Sequence, residues 1–258
     1  MFPISALLLA SAAQPVPIES PERPGFDLSI PATLAEDPPP ALNEWKGSVS
    51  LGATFADGNS KRKTATATAN AEYRREKDRT TLGLLWNYAQ ESGTTTQRRT
   101  LVTGKYDYFL TQTTYLLANA SAEHDLSAQL KLRTIVGVGA GYQVLEDERW
   151  NVSAEAGLSY VDEDYKDNSA DGDYLAARLA YKADVKLSEK WSAGQATEFL
   201  SSLENSEDMN ARVDTHTKVT LTANMFAQGQ WLYTWDNTPA AGAHHSDNLW
   251  LLTVGWSF

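Results

Sequence analysis

Cysteine is absent from the 258 residues. This absence excludes a disulfide framework, thiolate metal sites, cysteine nucleophiles and a lipid-modified cysteine at a processed N-terminus. Basic residues are scarce, with 22 Lys and Arg against 33 Asp and Glu and a net charge of −11. Because phosphate binding needs a basic face, this balance excludes a nucleic-acid partner. After the N-terminus no run of about 18 apolar residues occurs, which excludes a membrane-spanning helix.

The mean hydropathy of −0.41 resembles that of a water-soluble protein. A transmembrane β-barrel gives a similar average, because lipid-facing and lumen-facing residues alternate along each strand and dilute the apolar signal. A chain of 258 residues commonly forms one all-β barrel. The mean hydropathy therefore does not distinguish a water-soluble protein from a transmembrane β-barrel, and the distinction depends on the order of the residues.

The N-terminal segment differs in composition from the rest of the chain. Residues 1–13 combine an apolar stretch with small residues suited to a signal-peptidase site, although no cationic residue precedes them. Nine of the ten prolines lie before Leu42, which is incompatible with a regular helix or a sheet interior. We expect a signal peptide over 1–13, a Pro-rich periplasmic linker over 14–44 and a barrel over 45–258.

From Trp45 onward the chain divides into segments with two-residue periodicity, separated by polar turns. The pattern predicts an all-β fold, a transmembrane, antiparallel, up-and-down β-barrel of about 12 strands. Short turns alternate with longer loops. One rim of the barrel would therefore carry the short turns together with the first and last residues of the barrel segment. The predicted strands cover residues 45–57, 61–75, 79–91, 97–110, 113–125, 129–144, 149–161, 173–187, 190–203, 210–225, 229–237 and 247–258.

Charged residues recur at every second position within several segments. They cannot face hydrocarbon, where Arg or Lys at mid-depth costs about 2–4 kcal/mol. The alternate face is apolar, as at Leu82, Leu84 and Trp86, and would meet lipid. The predicted lumen-lining charges are Glu72, Lys105, Asp107, Lys131, Arg133, Glu155, Arg178, Asp184 and Lys218.

A soluble β-sandwich or a lipocalin-like barrel would also show alternation. Trp and Tyr, however, concentrate near the ends of the predicted strands, as at Trp45, Trp150, Trp191, Tyr88 and Tyr160. Amphipathic rings at strand ends are typical of the lipid headgroup level. The aromatic positions therefore favour a membrane barrel.

The final segment alternates large apolar residues with small or polar ones up to the terminal Phe. It resembles the C-terminal signal by which the barrel-assembly machinery recognises outer-membrane proteins of Gram-negative bacteria. A last strand whose edge stays unpaired until closure is a template for strand addition by such machinery. We therefore expect the cell outer membrane as location, with its lipids and lipopolysaccharide as surroundings. The assembly-signal residues are Trp250, Leu252, Val254, Trp256 and Phe258.

The chain also resembles a known family over Trp45 to Phe258. Its first strand reads Trp45-Lys46-Gly47-Ser48-Val49-Ser50-Leu51-Gly52-Ala53, and Asp57-Gly58-Asn59-Ser60 follows as a turn. Two further motifs are Lys105-Tyr106-Asp107-Tyr108-Phe109 and Val254-Gly255-Trp256-Ser257-Phe258. These residues resemble the salt-induced outer-membrane protein family, a domain of unknown function numbered 481. The resemblance implies a barrel in the outer membrane and brings no activity or catalytic residue.

Enzymatic chemistry finds little support in the motifs. An outer-membrane phospholipase needs a His-x-Ser pair on a strand, and the suitable residue types occur only at His244-His245-Ser246, in a predicted outer loop. The dipeptide His124-Asp125 is too common to indicate an omptin-like protease. The acidic run from Asp162 to Asp173 lacks the glycine and the closing Glu of a calcium loop. We expect no enzymatic activity, no catalytic residue, no metal site and no cofactor.

Two functions remain open for the lumen. Its charges either pair and close the barrel, as in a structural or envelope-stress protein, or line a narrow pore for small solutes or ions. Mixed signs favour pairing, and a barrel of this size leaves limited room beyond its own side chains. The sequence favours the closed lumen, with the pore as alternative and a phospholipase-like hydrolase as a minor one.

Overall fold

The computed structural model describes residues 42–57, 61–166 and 171–258. These residues form the predicted fold, a closed antiparallel barrel of twelve strands. The predicted signal peptide and nearly all of the predicted linker lie outside the described residues. The strands are β1 Trp45–Ala56, β2 Arg62–Arg74, β3 Asp78–Glu91, β4 Thr94–Phe109, β5 Thr114–Asp125, β6 Leu130–Glu146, β7 Trp150–Tyr165, β8 Gly172–Lys186, β9 Trp191–Ser202, β10 Met209–Thr220, β11 Met225–Asp236 and β12 Ser246–Ser257.

Each strand pairs with its neighbours in sequence, and β12 pairs with β1 to close the barrel. We call the rim that carries the β1–β2, β3–β4, β5–β6, β7–β8, β9–β10 and β11–β12 connections the loop end. The opposite rim, the terminal end, carries the other five connections together with Trp45 and Phe258. This is the up-and-down order that the sequence predicts.

At two places the predicted strand boundaries differ from the structure by about four residues or more, and the first concerns the acidic run. The sequence predicts that the seventh strand ends at residue 161, whereas β7 continues to Tyr165. Asp162 and Asp164 are exposed on the outer face, while Glu163 faces the interior and pairs with Arg133. The acidic residues therefore continue the alternation of the strand.

The second wrong boundary lies between β10 and β11. Residues 226–228 are predicted as a turn, but Phe226 is 2% exposed and faces the interior. The turn comprises residues 221–224 instead, and the hydroxyl of Thr222 accepts a hydrogen bond from the backbone N–H of Met225 at 3.1 Å. Burial of the Phe226 side chain in the interior thus keeps residues 226–228 in β11.

Side chains alternate between interior and exterior because the strands are pleated. On β12, Leu251 and Thr253 are 6% and 5% exposed, whereas Leu252 between them is 84% exposed. On the outer surface, Trp231 of β11 stacks on its register partner Trp250 at a ring distance of 5.6 Å. Among the described residues, no helix has the length and apolar character needed to cross a bilayer.

The closing junction between β1 and β12 is shorter than its neighbours. Its ladder joins residues 48–51 to residues 254–257, and Gly47 and Phe258 extend it through two backbone hydrogen bonds of 2.9 and 3.0 Å. On its other edge β1 pairs with β2 along its full length, from Trp45 to Ala56. The barrel is therefore closed mainly at its terminal end.

Candidate functional site

The interior of the barrel contains two clusters of charged side chains. We call the first, which lies toward the terminal end, the terminal-end cluster. Arg79 donates from Nε to Asp107 Oδ2 at 2.8 Å, and both side chains are almost fully buried. Lys105 lies 3.3 Å from Asp107 and also forms a close ion pair with Glu155. Charges from β3, β4 and β7 thereby neutralise one another.

Glu155 is the centre of the terminal-end cluster. It accepts hydrogen bonds from Tyr115 Oη and from Arg178 Nη1, each at 2.9 Å, in addition to its pair with Lys105. Arg178 in turn donates from Nε to Glu198 at 2.7 Å. Charge-assisted hydrogen bonds of this kind satisfy several lone pairs of one carboxylate. The network therefore extends across β4, β5, β7, β8 and β9.

A glycine on β6 makes room for this network. The ring of Tyr115 is fully buried and lies over Gly141, where a Cβ atom would overlap the ring. Glycine in a strand often marks such a close approach. Without it, Tyr115 could not reach the carboxylate of Glu155 from β5.

The second cluster lies toward the loop end, and we call it the loop-end cluster. Glu123 pairs with Arg99 at 2.6 Å and with Arg212 at 2.5 Å. Arg133 pairs with Glu163 at 2.5 Å and with Asp236 at 3.0 Å. The pairs Arg212–Glu123 and Arg133–Asp236 join β10 to β5 and β11 to β6, so they cross the interior between nearly opposite walls.

The β11–β12 loop covers the loop-end cluster. Ala240 is 3% exposed and packs with Leu130 and Tyr165 of the opposite wall. The side-chain amide of Gln129 donates to the carbonyl oxygen of Ala241 at 2.9 Å. Beneath the loop a cavity of about 60 Å³ remains, which is room for a few water molecules.

An apolar layer lies between the two charged clusters. Along the interior face of β4, Leu101 comes after Arg99 and before Lys105, so it occupies the intermediate depth. Its register partner Leu85 packs with residues from the far wall. We call this set the leucine cluster, and it consists of Leu85, Leu101, Leu232, Leu249 and Leu251. Ion pairs and leucines thus follow one another along the depth of the interior.

Five of the predicted lumen charges lie in the two clusters: Lys105, Asp107, Arg133, Glu155 and Arg178. Glu72 shares its strand face with the buried Thr66 and pairs in register with Lys46 and Thr81. The remaining three lie apart from the two clusters.

Asp184 lies 3.0 Å from Lys182 and 3.8 Å from His216, within the interior of the β8–β10 wall. Lys218 donates to Ser257 Oγ at 3.0 Å and lies 4.0 Å from the ring centroid of Phe226.

Lys131 does not line the lumen. The β6–β7 ladder shifts its register between Leu130 and Leu132, and Lys131 occupies this bulge. Its ammonium lies 2.9 Å from Asp164, and both side chains are about half exposed at the loop end. A bulge inserts one residue into the alternation, which turns the side chain away from the expected face.

Sequence reasoning misses seven charged residues of the two clusters: Arg79, Arg99, Glu123, Glu163, Glu198, Arg212 and Asp236. Arg79 and Arg99 lie on faces of β3 and β4 that also carry Leu85 and Leu101. Because both faces of these strands are partly apolar, their alternation does not separate interior from exterior. The strand register supplies the missing signal, since it places Arg79 opposite Asp107 and Arg99 opposite Asp125 on adjacent strands.

The remaining motifs lie at the loop end or on the outer surface. His245 Nδ1 is 3.0 Å from the backbone carbonyl of Asp236, in the loop above the cavity, and Ser246 is exposed. Within the described ranges no group of three or more His, Asp or Glu is arranged to hold a metal. Residues 167–170 of the acidic run lie outside the described residues. The residues of the predicted assembly signal line the outer face of β12, between 50% and 84% exposed.

Several solved outer-membrane proteins are similar to this chain. The NanC porin is 8% identical, with 83% of this chain and 98% of that chain covered and a TM-score of 0.49. The translocator domain of the autotransporter NalP from Neisseria meningitidis is 15% identical, with 83% and 87% covered and a TM-score of 0.44. The KdgM porin is 10% identical, with 83% and 99% covered and a TM-score of 0.42. No curated protein sequence matches the chain.

The family assignment is more direct than these likenesses. A family model described as "Protein of unknown function, DUF481" matches residues 49–258, which is nearly the whole barrel. The chain therefore belongs to the DUF481 family.

Proposed function

We propose that the protein is an integral outer-membrane barrel that is closed to solutes at rest and has a structural, non-enzymatic role in the envelope. The observation that carries this proposal is the set of two ion pairs that cross the interior, Arg212–Glu123 and Arg133–Asp236. A solute that enters from the loop end would have to separate both pairs. It would also have to displace the β11–β12 loop that covers them.

The outer surface supports the membrane location. On β7 the outward side chains from Ala154 to Tyr160 are uncharged, and the first outward carboxylates appear at Asp162 and Asp164. Exposed Leu, Val, Trp and Tyr side chains recur on the outer faces of the strands. Apolar side chains that face outward fit hydrocarbon, whereas water would favour polar ones. Lipid and lipopolysaccharide are the proposed surroundings.

A pair of arginine substitutions tests the location. Leu158→Arg, at a 46% exposed position in the middle of β7, should cost about 2–4 kcal/mol if that position faces the bilayer midplane. Leu187→Arg, at a 56% exposed position in the β8–β9 turn, should cost less than about 1 kcal/mol. Denaturant unfolding from lipid vesicles measures both. Equal and small costs would indicate that both positions face water, and would overturn the membrane location.

Planar-bilayer recording tests the closed state. The wild-type protein should give no reproducible conductance, because the two crossing ion pairs and the loop above them obstruct the interior at the loop end. The double variant Arg212→Ala/Asp236→Ala should conduct, since it removes both crossing pairs. Glu123 keeps Arg99, and Arg133 keeps Glu163, as ion-pair partners, so the barrel should still fold.

The matched control removes an ion pair that does not cross the interior. Lys131→Ala/Asp164→Ala removes an exposed ion pair at the same rim and should give no conductance. Reproducible conductance steps in the wild-type protein would contradict the closed state and would favour a narrow pore for small ions.

A further inference from the structure

The ladder between β1 and β12 ends before the strands do. Its last register pair is Leu51 with Val254, whereas β1 continues to Ala56 and β12 begins at Ser246. Both strands remain fully paired on their other edges over these stretches. Gly52 still lies against β12, where a Cβ atom would overlap the backbone carbonyl oxygen of Leu252. From Ala53 toward the loop end, the two strands share no ladder within the described part of the chain.

Continuing the register identifies the backbone groups involved. Gly47 and Phe258 exchange two hydrogen bonds, and such exchanging pairs recur at every second residue of an antiparallel ladder. The next exchanging pairs beyond Leu51 would be Ala53 with Leu252 and Phe55 with Trp250. At membrane depth an unpaired backbone group is costly, so a stretch of this kind requires either closure or an occupant that shields it.

The side chains that flank this stretch are apolar on both faces. Outside, Leu51, Phe55, Trp250 and Leu252 are 69%, 76%, 75% and 84% exposed, more than any other large apolar side chain of the described residues. Inside, Leu249 and Leu251 belong to the same stretch of β12 and pack in the leucine cluster. The leucine cluster thus lies directly behind the incomplete junction.

A cation marks the loop end of the same stretch. Lys63 is the register partner of Phe55 on β2 and shares its outer face, where it is exposed. An ammonium at the membrane surface can pair with a lipid phosphate. Lys63 therefore lies level with the loop-end part of the unpaired stretch, and the apolar side chains of Leu51 and Leu252 lie nearer the barrel centre. This order matches the phosphate headgroup and alkyl chain of a lipid.

We propose that the loop-end half of the β1–β12 junction is a lateral opening that admits the alkyl chain of a membrane lipid to the leucine cluster, with Lys63 holding the lipid phosphate. The inference rests on the proposed membrane location of the barrel. Charged solutes are excluded from this route because hydrocarbon surrounds it. A lipid chain already lies beside the junction and loses no hydration when it enters.

Fluorescence quenching by brominated acyl chains tests the opening. The chain has no cysteine, so single variants such as Leu85→Cys can carry a small fluorophore without background. The full protein is reconstituted in brominated phosphatidylglycerol. Quenching is expected at position 85 in the leucine cluster and at Leu252→Cys on the outer surface. No quenching is expected at Asn119→Cys, on the interior face of β5.

A disulfide provides the matched closure experiment. Ala53→Cys and Leu252→Cys are register neighbours if the ladder is completed, a spacing that a disulfide can bridge. Oxidation followed by labelling of Leu85→Cys should abolish the quenching at position 85. Lys63→Gln should weaken it, whereas Lys77→Gln in the β2–β3 turn at the terminal end should leave it unchanged.

The outcomes separate this inference from the proposed function. Quenching at 252 without quenching at 85 would overturn the lateral opening and leave the membrane location intact. Absence of quenching at both positions would overturn the location as well. Hydrogen exchange gives a label-free measurement: the amides of Ala53 and Phe55, which point toward β12, should exchange faster than those of Val49 and Leu51, and equal protection would refute the opening.

Discussion

Glu123→Gln is expected to lower the free energy of unfolding by about 3–5 kcal/mol, the usual cost of removing one partner from a buried ion pair. The Glu123 carboxylate is 5% exposed and accepts from both Arg99 and Arg212. The amide keeps the size of the side chain and removes its charge. The positive charges of Arg99 and Arg212 would then lose the negative charge that neutralises them. Arg212 would also lose its ion-pair partner across the barrel.

Asp164→Asn is the matched control for this substitution. The side chain is 52% exposed and pairs with Lys131 at 2.9 Å. An exposed pair contributes about 0–1 kcal/mol, so the amide should change the unfolding free energy little. Denaturant titration of both variants in the same lipid vesicles gives the comparison. A Glu123→Gln cost as small as that of the control would show that the loop-end cluster is hydrated and weak.

Deletion of Phe258 is expected to reduce strongly the amount of barrel that reaches the outer membrane. Its backbone exchanges two hydrogen bonds with Gly47, each worth about 1 kcal/mol, in a ladder of only four further register pairs. Its ring also lies against Gly47. The deletion therefore removes one end of the closing junction together with the terminal residue of the proposed assembly signal.

Phe258→Ala separates these two roles. The alanine keeps the backbone and removes the ring, so it should fold in detergent like the wild-type protein and still reach the membrane poorly if the assembly machinery reads the aromatic side chain. Quantifying the protein in isolated outer membranes and refolding it in detergent measures both effects. Wild-type membrane levels for both variants would refute a role of Phe258 in assembly and closure.

Local alternation was sufficient to predict the twelve strands and the up-and-down order, because the pleat imposes a period of two wherever one face meets lipid. It failed at β10 and β11, where residues 226–228 are predicted as a turn but Phe226 is buried in the interior. It also failed for Lys131, since a bulge shifts the period by one residue. Both failures arise where the interior packing overrides the local pattern.

The charged clusters were only partly predictable for a different reason. Periodicity places Lys105 and Glu155 on an interior face, and it cannot tell that they meet from strands β4 and β7. Pairs across a barrel depend on its diameter and on the stagger of its strands, which no single segment encodes. The partnership of Arg133 with Asp236, 103 residues apart, is the extreme case among the ion pairs of the described residues.

The stacked indoles of Trp231 and Trp250 give the protein an optical reporter of its own. Two coupled chromophores 5.6 Å apart, on neighbouring strands, split their transitions and produce a paired signal in circular dichroism. The signal depends on β11 and β12 holding their register, so it develops only as the last hairpin forms. Formation of the closing part of the barrel can therefore be followed in real time without any attached dye.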